Sequence, residues 1–526
     1  MTEISRAAQV ANLASEIVSV KDFGAVGDGV TDDTAAINAA STSAVNNNKI
    51  LVCGGVSLLK ADWVIPDGLT FRANGLVITR VSSQPSINHN VDIEGVTWDA
   101  QNNQIALVVT GYDGWVLSKC NFINSTKCGL EGGAGDPPED FKLISCTASN
   151  NGSSVTTEDS GIFLYGKRGL LLDCEANDND GSGIVLRNNS AQPTIDVQFI
   201  SCQAHRNTRH GFLTSIIDIT PPWTRATGVK FSTCTANDNG DQVGFLYSGF
   251  ALHELEDSDV IGCSASGNGE HGITFQDGRY NRLLGGTFSS NNQSGLRVQG
   301  NFGRTQDSET GEQGSVFSNA RLDNNGNAGV ASNTVNGVTI QANCQNNTYS
   351  NLRCTNNLEY GIRSQTKSSY TDNKNEIINN CVLTGNGINN DVQVDTNGAL
   401  MRGSYYSSFG SDLVKKTLGG EQSSVGLVSQ DISTTGSTLG LISRGEMYNL
   451  SWTNSSSIQL SSISSAWEGH KVSLIFDVVA GGGALSILNS ASIDLGNTLS
   501  SPYVITQGDV LTFVRINSVW KLISTT

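Results

Sequence analysis

The sequence is poor in charge, in proline and in aromatic rings. Of its 526 residues only 15% are charged and 7% aromatic, and there are 8 prolines. Acidic residues outnumber basic ones by 49 to 32, which gives a net charge of -17 at pH 7. Nucleic acid and anionic lipid both attract clustered Lys and Arg. We therefore predict neither a nucleic-acid partner nor a membrane partner.

Several other common signals are missing. No run of 18 apolar residues occurs, so no membrane-spanning helix is predicted. Residues 1–20 lack a basic segment followed by an apolar core, so no secretory signal is expected. No dinucleotide fingerprint, P-loop or nucleophilic-serine elbow is found, and no two cysteines are spaced Cys-x2-Cys. We predict no metal and no cofactor.

What the chain does have is glycine, at 58 residues, and an internal repeat. A Cys followed two residues later by a small or apolar residue recurs every 26 to 32 residues, at Cys120, Cys146, Cys174, Cys202, Cys234 and Cys263. About seven residues after this pair comes a Gly followed by an apolar residue. Each unit thus holds two short strands joined by Asn- and Gly-rich turns, and it is too small to bury an apolar face alone. The repeat predicts an all-β, right-handed parallel β-helix.

The cysteines fit this interpretation. One Cys per coil at the same inward position predicts a stacked column of free thiols, because a free Cys packs as a small apolar residue. We therefore expect core packing rather than disulfides, and assembly in a reducing compartment.

The stretch VKDFGAVGDGVTDD, from Val20 to Asp33, predicts a cap for the β-helix. It indicates an initial strand and a Gly-Asp-Gly turn. Thr31, Asp32 and Asp33 are typical of a helix start, and small apolar residues follow them. An open β-helix end would expose unpaired backbone and an apolar cross-section, so a helix lying across it is expected.

Acidic residues gather on the coils that carry extra length. Those insertions follow equivalent glycines, so the loops are expected to lie together as groove walls. We predict Glu254 and Asp277 as a catalytic pair one coil apart, with Glu256 and Asp257 as competitors. One carboxyl would protonate the leaving oxygen while the second activates water or attacks. A solvated acidic loop is the alternative.

Polar and aromatic neighbours of these acids are predicted to bind substrate: Asp218, Trp223, Arg225, Tyr247, His253, Arg279 and Tyr280. Glu158 and Asp180 form a further candidate stacked pair. His210 and His271 precede structural glycines, so we interpret them as turn residues.

The lead-in NLASEIVSVKDFGAVGDGVTDDT, residues 12–34, resembles the start of the pectate-lyase-like superfamily. That superfamily includes phage tailspike depolymerases and mannuronan C5-epimerases, and the lead-in is most similar to tailspikes. The epimerase motif DPHEQT is not found, because the nearest text, GDPPEDF at 135–141, has neither the His nor the Gln. No epimerase residues are carried over.

The resemblance implies a homotrimeric phage tailspike that hydrolyses a bacterial surface polysaccharide, either O-antigen or capsule, as an endo-glycosidase. It would assemble in the bacterial cytoplasm, attach to the phage tail, baseplate or an adaptor protein, and act at the host surface. Two alternatives stay open: a lyase on uronic-acid glycans, using Arg225, Arg279, His253 and Tyr280, and a non-catalytic glycan-binding fibre.

Four segments follow from the pattern. We predict a lead-in or attachment segment at 1–19, the catalytic β-helix at 20–403, a linker at 404–425 and a C-terminal β-sandwich at 426–526. The last segment resembles terminal modules of phage fibres, which implies trimerisation or glycan binding.

Overall fold

The structure is a computed structural model. It describes residues 15–406 apart from the gaps 60–62, 81–84, 88, 111–112, 134–137, 154–158, 189–192, 217–224, 241–246, 301–310, 328–334, 342, 366–375, 388–391, 395–399 and 403–404, and beyond 406 it describes strands between 427 and 525.

The largest sheet, sheet A, has 28 strands. Their bounds are Ile17–Ser19, Asp28–Asp32, Ile50–Cys53, Val56–Leu59, Thr70–Arg80, Asp92–Asp99, Val116–Ser118, Asn121–Ile123, Lys142–Ile144, Thr147–Ser149, Leu170–Leu172, Glu175–Asn177, Gln198–Ile200, Gln203–His205, Lys230–Ser232, Thr235–Asn237, Asp259–Ile261, Ser264–Ser266, Arg282–Leu284, Thr287–Ser289, Val316–Ser318, Arg321–Asp323, Thr348–Ser350, Arg353–Thr355, Ile377–Asn379, Val382–Thr384, Leu400–Arg402 and Tyr405–Tyr406.

The second sheet, sheet B, has 13 strands: Val64–Ile65, Ser86–Ile87, Ile105–Val109, Cys128–Gly132, Ser160–Leu164, Ser182–Asn188, Phe212–Ile216, Phe250–His253, Ile273–Gln276, Leu296–Gln299, Val338–Gln341, Ile362–Gln365 and Val392–Val394. A short pair, Ala226–Thr227 with Leu255–Glu256, extends two of the coils. All pairings in these three sheets are parallel, so the predicted parallel β-helix is confirmed. A typical coil contributes two strands to sheet A and one to sheet B.

The column of thiols is also confirmed. Asn121 aligns with Thr147, and this register continues through Glu175, Gln203, Thr235 and Ser264. The Cys that precedes each of these residues therefore lies directly above the next. All eleven cysteines are free, and ten of them are buried.

The turns explain the wealth of Asn, Asp and Gly. Between the two sheet A strands of a coil, one residue adopts the left-handed conformation, as at Asp173 (φ 51°) and Asn319 (φ 57°). A second one follows the coil's second strand, as at Asp178 (φ 57°). Asn, Asp and Gly tolerate this conformation best.

An asparagine ladder runs through the buried corner beyond these turns. In each step an Asn Oδ1 accepts the backbone N–H and the Nδ2 of the Asn one coil earlier, as between Asn268 and Asn291 at 3.2 and 2.8 Å. The ladder residues are Asn151, Asn179, Asn207, Asn239, Asn268, Asn291, Asn325, Asn357 and Asn386.

The N-terminal end contains the predicted helix, but not the predicted strand at Val20. Val20–Phe23 is a 3-10 helix, and the strands lie on either side of it, at Ile17–Ser19 and Asp28–Asp32. The α-helix Thr34–Asn46 packs against the first coil with Ile37, Ala40 and Ala44 buried. No helix among the described residues is long and apolar enough to span a bilayer.

Asp33 stands at the N-cap position of this helix but does not cap it through its side chain. Its carboxylate accepts the backbone N–H groups of Val26 and Gly27 at 2.8 and 3.1 Å. Asp32 Oδ1 accepts the N–H of Thr34 instead. The two acids therefore fix the loop to the helix start.

The C-terminal strands form three further sheets. Their bounds are Leu427–Asp431, Thr438–Gly440, Met447–Trp452, Ile458–Leu460, Ser462–Ser464, Lys471–Val479, Leu485–Ile487, Ile493–Asp494, Tyr503–Val504, Val510–Ile516 and Val519–Thr525. The earlier strands pair in parallel, and antiparallel pairing begins between 471–479 and 510–516. The C-terminal β-sandwich at 426–526 therefore stays a prediction.

Candidate active site

The structure places Glu254 and Asp277 at equivalent positions on consecutive coils. The strand Phe250–His253 pairs in parallel with Ile273–Gln276, and the last aligned residues are His253 and Gln276. Glu254 and Asp277 follow directly, both with left-handed backbone (φ 58° and 57°). Backbones of adjacent parallel strands lie about 4.8 Å apart, so the two acids are vertical neighbours.

Both acids are buried, each at 4% exposure. Asp277 Oδ1 accepts the backbone N–H of Gly311 at 3.1 Å, and Arg225 Nε donates to the backbone carbonyl of Asp277 at 3.0 Å. Buried titratable groups that adjoin another charged group are candidates for a functional role. This burial separates the pair from the more exposed acids nearby.

The two competitors lie elsewhere on the coil. Glu256 is half-buried in the strand Leu255–Glu256 and aligns with Arg279 on the next coil. Asp257 is exposed and faces sheet A, where it helps to line a groove of about 420 Å³. Other lining residues of this groove are Arg168, Asp196, Gln198, Lys230 and Asp259.

The predicted binding residues do not all converge on the pair. Arg225 and His253 are adjacent to the acid pair. Arg225 contacts the Asp277 backbone, and His253 is the last residue of the strand that precedes Glu254. Tyr247 lies before that strand, at its opposite end, with its ring edge-on to His210 at 4.9 Å. Tyr280 lies in the next turn and is 57% exposed.

Asp218 and Trp223 lie outside the described residues, as does Glu158 of the further candidate pair. Asp180 is described and lies exposed in a turn, where its backbone N–H bonds to the Asn151 carbonyl.

Sequence analysis missed Glu312, which is fully buried on the coil after Asp277. The two acids are linked reciprocally: Gly278 N–H donates to Glu312 Oε2 at 2.8 Å, and Gly311 N–H donates to Asp277 Oδ1. Burial raises the pKa of Glu312 to about 7, and the charge of Asp277 acts in the same direction. At Gly278 a Cβ would lie 2.6 Å from the Leu255 carbonyl, so only glycine fits there.

The repeat contains Glu312, but its register could not be read from the sequence. Arg279 aligns with Gln313 on the next coil, so Gly311 is equivalent to Asp277 and Glu312 to Gly278. Extra residues before Gly311 break the spacing of the repeat, so the register could not be counted from the sequence.

A second missed group lies where the sheet B strands begin. Arg297 Nη1 donates to Glu270 Oε1 at 3.2 Å, and His271 Nε2 lies 3.4 Å from the same oxygen. Burial would raise the pKa of Glu270, but its neighbours His271 and Arg297 outweigh that and lower it to about 2. Within this group the negative charge of Glu270 is balanced by the positive charge of Arg297.

The two histidines act in the turns, as interpreted. His210 Nδ1 accepts the Ser248 N–H, and His271 Nδ1 accepts the Ser294 N–H, each at 3.0 Å. Burial lowers the pKa of His210 to about 4, so its ring is neutral at ordinary pH. Within the described part of the chain, no group of three or more His, Cys, Asp or Glu could hold a metal ion.

Family models match two parts of the chain. The model described as "Right handed beta helix region" matches residues 74–220. The model described as "Rhamnogalacturonase A/epimerase, pectate lyase-like" matches residues 17–55, which include the opening segment that carries the predicted resemblance.

Two curated proteins are similar over about half of this chain. The capsule K30/K69-specific Depolymerase 1 of Klebsiella phage K5-2 is 26% identical over 304 residues, covering 48% of this chain and 36% of the phage protein. Mannuronan C5-epimerase AlgE1 of Azotobacter vinelandii is 25% identical over 296 residues, covering 53% of this chain and 18% of the epimerase. The chain thus spans about a third of the first relative and a fifth of the second. The predicted resemblance to phage depolymerases and the pectate-lyase-like superfamily is confirmed.

Solved structures give weaker matches. The AlgE4 A-module of Azotobacter vinelandii is 16% identical with a TM-score of 0.49, covering 74% of this chain and 100% of the module. The Dettilon tailspike protein is 14% identical with a TM-score of 0.38, and the match covers 74% of this chain and 67% of the tailspike chain. At these values no residue role is transferred from either structure.

Proposed function

We propose that this protein is a phage tailspike that binds and depolymerises a bacterial surface polysaccharide, O-antigen or capsule, by endo-glycosidic hydrolysis. The observation that carries the proposal is the buried, stacked pair Glu254 and Asp277 on consecutive coils. The similarity to a capsule-specific phage depolymerase supports the substrate class.

Hydrolysis needs one protonated and one ionised carboxyl. Asp277 accepts a backbone N–H, and such a bond favours the ionised form of a carboxylate. We therefore assign Asp277 as the base or nucleophile and Glu254 as the acid that protonates the leaving oxygen. Burial raises the pKa of the neighbouring Glu312 to about 7. Retaining enzymes hold their two carboxyls about 5–5.5 Å apart, a separation that adjacent coils can supply.

The test uses O-antigens and capsules from a panel of hosts, with reducing ends and unsaturated products measured separately. We expect new reducing ends without ultraviolet-absorbing unsaturated sugars. Glu254→Gln and Asp277→Asn should each lower turnover about 100-fold or more, because removing an acid or base catalyst typically costs that much. Glu256→Gln and Asp257→Asn are the matched controls and should stay within a few-fold of the wild type.

Other results would redirect the proposal. Unsaturated products would favour the lyase alternative, whereas binding without turnover on every glycan would favour a non-catalytic fibre. Full activity of both Glu254→Gln and Asp277→Asn would remove this pair from the chemistry.

The assembly is proposed from the tailspike resemblance. We propose a homotrimer attached to the phage tail, its baseplate or an adaptor protein. The protomer mass is 55.5 kDa, so light scattering should give about three times that mass.

A further inference from the structure

The outer face of sheet B changes character along the β-helix. On the earlier coils this face carries an apolar cluster that includes Phe163, Val185 and Leu213. From the strand Ile273–Gln276 onward, the positions aligned with these residues are Thr274, Arg297 and Thr339. The interior side of the same strands stays apolar, so the change concerns only the outward face.

Four glutamines align on the polar part of this face, with Gln365 as the last, and the first three, Gln276, Gln299 and Gln341, are here called the amide column. Gln276 aligns with Gln299, and Gln299 with Gln341, on three consecutive coils. At about 4.8 Å per coil the column spans roughly 10 Å along the helix axis. It begins beside the acid pair, because Gln276 directly precedes Asp277.

Within the described residues, the two guanidinium groups on the sheet B strands of the column are each paired with an acid. Arg297 Nη2 donates to Gln341 Oε1 at 2.9 Å, while Nη1 is paired with Glu270. On the following coil Arg363 is paired with Glu359 at 3.0 Å. Arg297 and Arg363, the two guanidinium groups on these sheet B strands, are therefore neutralised by Glu270 and Glu359.

One amide of the column has unused hydrogen-bonding capacity. Gln299 Nε2 donates to Gln276 Oε1, but Gln299 Oε1 is buried and has no hydrogen-bond partner among the described residues. The residue as a whole is 7% exposed. A buried polar atom without a partner is costly, and a ligand hydroxyl would satisfy it.

We propose that Gln276, Gln299 and Gln341 form a subsite for an uncharged, hydroxyl-rich stretch of polysaccharide lying along the helix axis. The stretch runs from the Glu254 and Asp277 pair toward the C-terminal coils. Amides donate to and accept from sugar hydroxyls, whereas a uronate stretch would require a free cation. The direction relative to the cleavage point rests on the proposed function; the binding itself does not.

Binding is measured on an array of purified O-antigens and capsules, and each glycan is also printed after chemical reduction of its carboxyl groups. The double variant Gln299→Ala/Gln341→Ala is compared with Gln313→Ala/Gln345→Ala. The control glutamines are also stacked one coil apart; both are half-buried and lie outside sheet B. Circular dichroism and melting temperature establish that each variant is folded.

We expect the wild type to bind at least one glycan, with the carboxyl-reduced form bound equally well. The column variant should bind about tenfold or more weaker, as expected for two lost hydrogen bonds, and the control should bind like the wild type. Equal binding by both variants would overturn the subsite, and so would loss of binding on carboxyl reduction or no binding to any glycan.

Gln299→Leu is added in case the alanine variant unfolds. It keeps the volume of the side chain and should also bind more weakly than the wild type, so wild-type affinity in this variant would also overturn the subsite. Binding without new reducing ends would contradict the proposed hydrolysis while leaving the subsite intact, so the two failures are distinguishable.

Discussion

At the residue scale, the buried acids behave differently from those on the surface. Glu376 lies inside the coils, where Asn347 Nδ2 donates to its Oε1 at 3.3 Å. Burial raises its pKa from 4.5 to about 8, and Glu312 adds to this with its charge. Tyr349, Cys344 and Asp277 are further titratable groups close to these two acids.

The raised pKa predicts a stability that falls with pH. Between about pH 4.5 and 8 the folded protein keeps a proton that the unfolded chain has released. The stabilisation is full below pH 4.5 and is lost as the pH rises through 8. Urea unfolding of the wild type should therefore show a loss on the order of 3 kcal/mol between pH 5.5 and 8.5 from this group.

Glu376→Gln should remove that part of the pH dependence, because the amide mimics the protonated acid. A smaller dependence of the unfolding free energy on pH should remain, because the pKa of Glu312 is also raised. Glu175→Gln, on the outer face of sheet A, is the control and should keep the wild-type slope. An unchanged slope in Glu376→Gln would contradict the assignment.

The same scale shows what the sequence could reveal about the site. Glu254 and Asp277 could be paired because 23 residues separate them and no insertion intervenes. Glu312 could not be assigned to the same site, because the extra residues before Gly311 change the repeat length and obscure the register. The amide column was invisible for a related reason: Gln299 and Gln341 become neighbours only once the strand register is known.

At the element scale, the asparagine ladder is the feature most dependent on three-dimensional register. In the sequence these residues indicate only polar turns, and the turns were predicted correctly. Their inward direction follows from the left-handed residue that precedes each of them, as Ser290 (φ 56°) precedes Asn291. The initial strand predicted at Val20 was wrong because Ser19 and Gly24 instead cap a short 3-10 turn there.

Asn291→Ala should destabilise the β-helix by roughly 3 kcal/mol, because buried polar groups lose their partners. The side chain accepts from the N–H and Nδ2 of Asn268 and donates to the Ala265 carbonyl. Chemical denaturation measures the loss. Asn292→Ala alters the next residue, which is not part of the ladder, and should change stability by less than about 0.5 kcal/mol. Equal effects of the two changes would show that the ladder does not stabilise the fold.

At the scale of the whole molecule, one apolar core runs from the first coil to the last. Described core residues extend without a break from Val18 to Leu383. Each coil contacts mainly its neighbours, so stability is a sum of local interfaces and the ends are the weak points. The sequence allowed the repeat and the cap to be predicted because both are local patterns. Whether each pair of C-terminal strands is parallel or antiparallel could not be predicted, because long alternating strands are compatible with both.

The cap therefore offers a test of the whole architecture. Ile37 is 1% exposed on the capping helix, and Ile37→Asp places an unpaired charge against the first coil. We expect a loss of about 4 kcal/mol or more, together with aggregation through the exposed strand edges. Hydrogen exchange should rise in strands between 50 and 99 and stay unchanged between 282 and 384, because distant coils do not contact the cap. Ala39→Asp, on the exposed side of the same helix, should leave exchange unaltered. Uniformly faster exchange in Ile37→Asp would mean that the coils unfold as one unit rather than from the end inward.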